Sequence, residues 1–161
     1  MRRKDREVTD PVQIEQIVQR CDVCRLAMVD AGMPYVVPMN FGYTVEQGQW
    51  TLYFHSAKEG RMLRILRENP AVCVEMDGAH VLLPAEQACG YGMAFESVIL
   101  DGEVAFAQSD AQKVLWLNHL MRKVTPGECF AYAPQMLAAT EVFCVHVHHV
   151  SAKQRLPKRG E

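Results

Sequence analysis

The sequence predicts a mainly β domain, an antiparallel sheet or small barrel with flanking helices. Three observations lead to this fold class: six segments have strand composition, most are joined by turn-forming residues, and few helical segments separate them. A parallel connection needs a crossover of about a dozen residues or more, so the scarcity of helices disfavours a parallel sheet. A length of 161 residues, 49% hydrophobic and 22% charged, fits one domain over 1–161 whose core needs no disulfide or metal.

The first predicted element is a short helix over residues 11–20. Asp10 is a favourable N-cap residue, and Pro11 suits the first helical position. Apolar side chains then recur at helical spacing, at Ile14, Ile17, Val18 and Cys21.

Two strands are predicted next, over residues 23–29 and 33–43, joined by the hairpin-type turn 30–32. Pro34 and Pro38 interrupt the second strand. Because proline cannot donate to a strand ladder, it belongs at a sheet edge or a bulge. We therefore expect the backbone near Pro38 to offer its polar groups to something other than a neighbouring strand.

A strand over 50–55 and a helix over 57–68 follow. Ser56 and Glu59 stand three residues apart before an apolar periodic run, the pattern of a capping box. The Asn-Pro pair at 69–70 ends this helix.

The second half of the chain alternates strands with less regular segments. Further strands are predicted at 71–76, 95–106 and 141–150. Residues 79–92 contain Pro84 and two glycines and are expected to be irregular, whereas Gly102 is expected at a bulge. Ser109 caps a helix with an apolar face, and residues 125–139 form a loop with a short helix near its end.

Charge is unevenly distributed along the chain. The body, residues 8–152, carries 9 cations against 16 acids. The ends are basic, through Arg2, Arg3, Lys4 and Arg6 at the start and Lys153, Arg155, Lys158 and Arg159 at the end. An acidic body disfavours nucleic-acid binding. Since the sequence shows neither a signal peptide nor an apolar run of about 18 residues, we expect a cytoplasmic protein with no membrane partner and reduced cysteines.

The segment around residue 58 has an unusual concentration of positive charge. Four of the nine cations of the body fall within ten residues, at Lys58, Arg61, Arg64 and Arg67. A helix start normally gathers acids, yet Lys58 and Arg61 lie in or beside the predicted first turn. Backbone amides and two cations at one helix start suit an anion such as phosphate, with a solvated basic face as the alternative.

Two further patterns are weaker. Cys21 and Cys24 have the spacing of a redox or zinc pair, but no second pair accompanies them, and a structural role is favoured. His146 and His148 share one strand face at a spacing that suits a shared metal, yet no third ligand is identifiable and a solvated face is the simpler interpretation. No metal site is predicted, and no dinucleotide-binding, Walker or serine-hydrolase motif is present.

The order of several segments carries a family resemblance. They are MRRKDREVTD (1–10), CRLAMVD (24–30), PYVVPMNFGYT (34–44), LYFHSAKEGRMLRILRENPAVCVEMD (52–77) and SVILDGEVAF (97–106). Together they resemble the pyridoxamine 5'-phosphate oxidase-like FMN-binding split barrels, in particular the nitroimidazole-resistance branch. The resemblance implies a six-stranded antiparallel split barrel and a homodimer with FMN at the subunit interface.

The resemblance also implies which residues hold the cofactor. These are Val37, Pro38, Met39, Asn40, Phe41, Phe54, His55, Ser56, Lys58, Arg61, Met62 and Ser97. The strand around Pro38 would run along the isoalloxazine edge, and Lys58 and Arg61 would reach the phosphate. His55 matches a histidine near the flavin and is the candidate catalytic residue, with a strand-end histidine bonded to backbone as the alternative.

Two positions depart from the family pattern. Met62 stands where a lysine is common, so either Lys58 compensates or FMN binds more weakly. Glu96 stands where relatives often carry arginine, which places an acid near the expected groove.

The function that follows is an FMN-dependent oxidoreductase that reduces a small acceptor, such as a nitroaromatic compound. The loop 79–92 with Tyr91 and the helix with Trp116 are expected to shape the acceptor pocket. A carrier of flavin or haem without turnover is the alternative. A third hypothesis is a metal or redox sensor that uses Cys21, Cys24 and the histidine strand.

Overall fold

The computed structural model describes residues 3–128 and 130–157, and an antiparallel sheet organises them. Its strands are β1 (Glu7–Val8), β2 (Cys24–Asp30), β3 (Met33–Met39), β4 (Gly42–Glu46), β5 (Gln49–Ala57), β6 (Ala71–Leu83), β7 (Gly92–Phe106) and β8 (Thr140–Arg155). Its α-helices are α1 (Pro11–Arg20), α2 (Arg61–Glu68), α3 (Asp110–Val124) and α4 (Pro134–Ala139). Short 3-10 turns lie at Lys4–Arg6 and Ala88–Gly90. The predicted basic residues Arg2, Lys158 and Arg159, and also Cys129, lie outside the described residues.

The strand order shows that the sheet curls. It runs β3-β2-β6-β7-β8-β5-β4, with β1 added on β8, and every pairing between the described strands is antiparallel. The two edge strands, β3 and β4, are consecutive in the chain and separated only by Asn40 and Phe41. Such a short link requires the two edges to approach each other, although no ladder joins them in the described residues. The fold is therefore a mainly β split barrel with flanking helices, which confirms the predicted fold class.

The described sheet has eight strands where six were predicted. The predicted strand 33–43 divides into β3 and β4 at the barrel opening, and β1 is a two-residue addition that pairs with β8. Residues 79–92 are not one irregular loop, because β6 runs to Leu83 and β7 begins at Gly92. The strand register shifts after Gly78, and Ala79 has φ +52°. This bulge breaks the alternation of apolar and polar residues by which a strand is recognised in a sequence.

The predicted helix ends and bulges can be checked individually. Asp10 caps α1 by accepting from the Val12 amide at 3.1 Å, and Ser109 caps α3 by accepting from the Gln112 amide at 3.2 Å. The ladder between β7 and β8 shifts register between Asp101 and Gly102, so the predicted bulge at Gly102 is confirmed.

Two apolar clusters fill the interior. The larger one lies inside the barrel, and its largest fully buried side chains include Phe41, Phe54, Phe143, Leu26, Met76 and Leu100. The smaller one lies where α3 and α4 cover the sheet, and contains Tyr53, Trp116, Leu117, Leu120, Leu137, Val142 and Cys144. The second cluster attaches α3 and α4 to β5 and β8. No helix of the described chain is both long enough and apolar enough to cross a membrane.

Candidate functional site

A cavity of about 390 Å³ lies between the end of β5 and the two helices α3 and α4. Its lining is Asn40, His55, Leu117, Leu120, Met121, Val124, Tyr132, Met136, Leu137 and Thr140. Ligand pockets are typically apolar with a few placed polar groups, and this lining has that character. It brings together two of the residues predicted to hold the cofactor, Asn40 and His55.

Helix α3 forms one wall of the cavity because its backbone packs closely against strand β4 of the barrel. It crosses β4 at Gly42, where an added Cβ would lie 2.5 Å from the carbonyl oxygen of His119. Only glycine leaves room for this contact. With the helix in this position, Leu117 and Leu120 contact the sheet, while Met121 and Val124 extend the apolar wall outward.

Helix α4 forms the other wall and is tied to α3. The Lys113 ammonium donates to the carbonyl oxygens of Leu137 at 3.0 Å and Thr140 at 2.8 Å. A cation is favourable at these positions, since the last carbonyls of a helix have no partner within it. The hydroxyl of Tyr132 donates to Asn118 Oδ1 at 2.9 Å. These bonds fix the distance between the two walls.

Four polar side chains line the cavity, those of Asn40, His55, Tyr132 and Thr140. The side chain of His55 is exposed near the end of β5. Asn40, in the link between β3 and β4, donates its amide nitrogen to the carbonyl oxygen of Asp22 at 3.2 Å. This bond leaves Asn40 Oδ1 as an acceptor. An imidazole and an amide oxygen therefore face an apolar enclosure.

The two predicted phenylalanines contribute differently from Asn40 and His55. Phe41 is 1% exposed and Phe54 is 0% exposed, so both side chains belong to the core. The ring of Phe54 stacks on Phe143, with centroids 5.3 Å apart, and Lys123 Nζ lies 4.7 Å from the Phe41 ring centroid. Only the backbone of these two residues is placed to meet a ligand.

Strand β3 has the free edge that its prolines predicted. It pairs with β2 on one side, and no described strand pairs with its other side. Val37 and Met39 pack against the core, whereas Pro38 is exposed. The backbone of the predicted isoalloxazine-binding segment therefore lies at an open sheet edge.

The helix after β5 begins later than predicted, and the capping box is wrong. Strand β5 continues to Ala57, which pairs with Thr140, so α2 starts only at Arg61. Gly60 is the N-cap at φ +148° and makes no side-chain capping bond. Ser56 Oγ instead donates to the carbonyl oxygen of Ala57 at 2.9 Å. The pairing of β5 with β8 therefore extends the strand into residues that the local sequence pattern assigned to the helix.

Lys58 and Arg61 therefore occupy different positions. Lys58 is exposed in the loop before α2, whereas Arg61 is the first helical residue and donates Nε to Asp30 at 2.8 Å. Arg64 binds the same carboxylate at 2.9 Å, and the Arg61 guanidinium lies 4.2 Å from the Tyr35 ring centroid. Hydrogen bonds from Arg61 and Arg64 hold the pKa of Asp30 below its ordinary value.

The remaining predicted cofactor residues lie apart from the cavity. Met62 is half-buried and packs against the core. Ser97 faces outward on β7 and lines a separate pocket with Ile99, His149, Ser151 and Lys153.

The Glu96 carboxylate is buried and fully bonded within the chain. Its side chain is 9% exposed, and Oε2 accepts from Arg20 at 2.7 Å. Its other oxygen accepts from Gln154 at 2.6 Å. The carboxylate thereby ties α1 to β7 and β8.

The described residues contain no group of three or more side chains that could hold a metal ion. Cys21 and Cys24 are both buried, and burial raises the pKa of Cys24 to about 12. His148 Nε2 lies 3.8 Å from Glu103, and His146 Nε2 lies 3.5 Å from the buried Cys144 Sγ. Within residues 3–128 and 130–157, these cysteines and histidines therefore do not come together as the metal or redox centre that the sensor hypothesis needs.

Sequence reasoning found some of the cavity walls and missed others. The apolar face of α3 was recognised from its spacing, but its partner residues Tyr132, Met136 and Leu137 lie in a segment with little periodicity. Trp116 was expected in the pocket, yet it packs against Tyr53 in the core, with ring centroids 6.0 Å apart. Tyr91 lies in the hairpin between β6 and β7 and does not line the cavity.

Comparisons with known proteins agree with this architecture. A family model described as pyridoxamine 5'-phosphate oxidase matches residues 10–154. A solved structure of a candidate 5-nitroimidazole antibiotic resistance protein from Bacteroides thetaiotaomicron is 34% identical, with 91% of this chain and 85% of that chain covered and a TM-score of 0.80. No curated protein matches the chain significantly.

Two more distant structures share the fold. The flavocytochrome Anf3 from Azotobacter vinelandii is 22% identical, over 98% of this chain and 72% of that chain, with a TM-score of 0.82. An FAD and haem binding protein from Mycobacterium smegmatis is also 22% identical, over 94% and 74% respectively, with a TM-score of 0.83.

Proposed function

The chain belongs to the pyridoxamine 5'-phosphate oxidase family, and from this premise we propose that it binds FMN and reduces a small acceptor such as a nitroaromatic compound. The observation that supports this most is the largely apolar cavity that Asn40 and His55 help to line, near the free edge of β3. An apolar enclosure suits a flat ring, and an open strand edge suits a ring bearing hydrogen-bonding atoms.

The chain's own residues fit such a cofactor. The backbone from Val37 to Phe41 has unpaired polar groups along the open edge, and the backbone of Phe54 to Ser56 lies at the neighbouring end of β5. Arg61 uses Nε for Asp30, which leaves its two terminal nitrogens for a phosphate. Lys58 is exposed three residues earlier in the chain, in the loop before α2, and we assign it a supporting role at the same phosphate. The resemblance also assigns Met62 and Ser97 to the cofactor site, and this proposal includes both residues.

When bound, the flavin supplies hydride or electron transfer, and the protein supplies position and electrostatics. His55 holds an imidazole at the mouth of the cavity, where it can give a proton to an acceptor atom that gains electrons. The side chains of Leu117, Leu120 and Leu137 form an apolar wall against which the ring of an acceptor can pack.

The proposal includes a homodimer with the cofactor at the subunit interface. Large apolar side chains are exposed on β2 and β3, with Val29 at 47%, Met33 at 66% and Val36 at 52%. Val29 and Val36 lie on one face of this hairpin and Met33 lies at its turn, and exposed apolar side chains of this kind commonly mark interfaces. The molar mass in solution, measured by light scattering, tests this part; a monomer at micromolar concentration contradicts it.

A carrier of flavin or haem without turnover is the second candidate. It is favoured by Met62, an apolar side chain where the family commonly has a cation, and by the Asp30 carboxylate already bound to Arg61. Both features weaken the attraction for a phosphate. Stopped-flow oxidation of the reduced protein by a nitroaromatic acceptor separates the two candidates, because a carrier would react no faster than free reduced FMN.

The phosphate assignment predicts the effect of two substitutions. Arg61→Ala and Lys58→Ala should each weaken FMN binding by about 1–3 kcal/mol, because each removes a charge-assisted hydrogen bond. Arg67→Ala is the matched control, since Arg67 lies in the last turn of α2 and binds Glu141. Fluorescence titration of FMN measures the affinities. Unchanged affinity in both test variants would contradict the placement.

The assignment of His55 predicts a separation of binding from turnover. His55→Gln should leave FMN affinity within a factor of about three and lower the rate of acceptor reduction tenfold or more, on the order expected for lost proton transfer. His80→Gln serves as control, because His80 is exposed and bonded to Asp77 in the hairpin between β6 and β7. Equal rates in both variants would remove the catalytic role.

A further inference from the structure

We infer that Asp30 and Tyr35 are positioning residues for the cofactor phosphate: they hold the Arg61 guanidinium so that its two terminal nitrogens present one edge to a phosphate group. This role rests on the proposed function and deepens it. The residues predicted to hold the cofactor include Arg61 but neither Asp30 nor Tyr35.

Asp30 lies at the inward-facing end of strand β2. Alternate residues of a strand share one face, so Asp30 continues the row of Leu26 and Met28, whose side chains are buried. The Asp30 side chain is only 11% exposed. An acid at such a position needs a partner, because an unpaired carboxylate away from water is costly.

Two arginines of α2 share the Asp30 carboxylate. Arg61 donates Nε to it at 2.8 Å, and Arg64, one turn later, donates Nη2 to its two oxygens at 2.9 and 3.0 Å. By its charge alone Asp30 opposes a phosphate, but the second guanidinium offsets that charge. The three side chains together keep one positive charge. Glu68, which Arg64 also contacts at 3.3 Å, is 65% exposed, so solvent screens it.

The ring of Tyr35 restricts the plane of the Arg61 guanidinium. Tyr35 is paired with Met28 across the β2-β3 hairpin and therefore lies on the same face as Asp30. Its ring centroid is 4.2 Å from Arg61 Cζ, which is a cation–π contact. A bond at Nε and an aromatic ring against the guanidinium together limit the rotamer freedom that a long side chain otherwise loses on binding.

The outer edge of the guanidinium remains for a ligand. Within residues 3–128 and 130–157, the side chain of Arg61 donates only through Nε, and its terminal nitrogens have no hydrogen bond. Two terminal nitrogens can bind two oxygens of one phosphate. Arg61 is also the first residue of α2, where backbone amides without a helical partner favour the same anion.

Riboflavin and FMN separate recognition of the phosphate from recognition of the ring, because riboflavin lacks only the phosphate. Fluorescence titration of the flavin-free full chain measures both dissociation constants. Asp30→Asn keeps the shape of the side chain and removes the charge that holds Arg61. We expect it to weaken FMN binding about tenfold, since part of the arginine's freedom is then lost on binding, and to leave riboflavin binding within a factor of about two.

A second variant tests the other contact of Arg61. Tyr35→Leu keeps an apolar side chain but removes the ring, and should lower the preference for FMN over riboflavin about threefold. The matched control is Glu141→Gln, which removes the acid bound to Arg67 at 2.8 Å at the other end of α2. It should leave the preference unchanged.

A double variant shows whether Asp30 acts through Arg61. In an Arg61→Ala background, Asp30→Asn should cause no further change in the ratio of the two affinities, because the group that Asp30 positions is already gone. A merely structural role would instead lower the binding of both flavins in either background.

Three outcomes would overturn the assigned role. The first is a preference for FMN that is unchanged or raised by Asp30→Asn, and a raised preference would leave Asp30 only as an opposing charge. The second is an equal fall of FMN and riboflavin binding in both Asp30→Asn and Tyr35→Leu. The third is a further fall of the ratio when Asp30→Asn is added to Arg61→Ala.

The parent protein separates this role from the proposed function. A parent that binds neither flavin overturns both together. A parent that prefers FMN, with a preference that neither Asp30→Asn nor Tyr35→Leu lowers, overturns the positioning role and leaves the proposed function standing.

Discussion

At the scale of single residues, the cysteines differ in burial and therefore in expected reactivity. Burial raises the pKa of Cys24 to about 12 and that of Cys144 to about 11, whereas Cys89 is exposed near the hairpin tip. The thiolate is the reactive form of cysteine. The paired spacing of Cys21 and Cys24 thus places two buried thiols at the junction of α1 and β2, as the structural interpretation expected.

This division predicts the order of alkylation. In the folded protein at pH 8, iodoacetamide should modify Cys89 well before Cys24 or Cys144, because the latter two combine burial with a low thiolate fraction. Peptide mass spectrometry at increasing reaction times measures the order, and labelling in denaturant is the control. Equal labelling of Cys24 and Cys89 in the native state would contradict the environments described.

Asp30 shows what residue-level sequence reasoning could not reach. The cluster of cations near residue 61 was visible as a charge anomaly, but the carboxylate that joins Arg61 and Arg64 lies about thirty positions earlier. Nothing local marks Asp30 as their partner, since it appeared only as part of a turn. Hairpin geometry brought it to α2, and long-range pairings of this kind are absent from a single sequence.

At the scale of elements, the contact between α3 and β4 depends on one missing side chain. Gly42→Ala should destabilise the protein by about 2–3 kcal/mol, because the added methyl would meet backbone atoms of His119 and Leu120 that cannot move alone. Chemical denaturation measures the loss, and the affinity for a nitroaromatic acceptor should fall with it as α3 shifts.

The control for this substitution is Gly78→Ala. The nearest atom to its added Cβ is Cys21 Sγ at 3.9 Å, an ordinary contact. Its effect should stay within about 0.5 kcal/mol, as for unobstructed surface changes. Equal destabilisation by both substitutions would show that close approach at Gly42 is not what positions the helix.

Element prediction succeeded where composition and packing agree. Strands β2, β7 and β8 and helices α1 and α3 were located because their apolar patterns match their buried faces. The start of α2 was placed too early, since the ladder to Thr140 is invisible in the local pattern. Strands β6 and β7 were predicted only over 71–76 and 95–106, and their continuation toward the hairpin was missed because the bulge after Gly78 breaks alternation. The cavity needs α3 and α4 together, and their packing is a property of tertiary structure.

At the scale of the whole molecule, stability should depend on pH through a partly buried histidine. Burial, assisted by Arg122, lowers the pKa of His119 below its ordinary value, and its ring stacks on Tyr53 with centroids 4.6 Å apart. The unfolded chain then binds a proton more readily than the folded one. The free energy of unfolding should therefore be highest above about pH 6.5 and fall as the pH drops below it.

His119→Phe isolates this contribution, because it keeps an aromatic ring on Tyr53 and removes the titrating group. Denaturation at pH 7.5 and at pH 5.5 should show a smaller loss of unfolding free energy in the variant than in the parent. Identical losses in the two proteins would assign the pH dependence to other groups.

The prolines of β3 have a consequence for the molecule in concentrated solution. Pro34 and Pro38 are four residues apart in a paired strand, so both ring nitrogens face the unpaired side, where a proline is tolerated. That side offers carbonyl oxygens but few amide protons, and a foreign strand cannot add a regular ladder to it. The opening of the barrel thus resists self-templated association between copies, and it remains available to a small molecule that carries donors of its own.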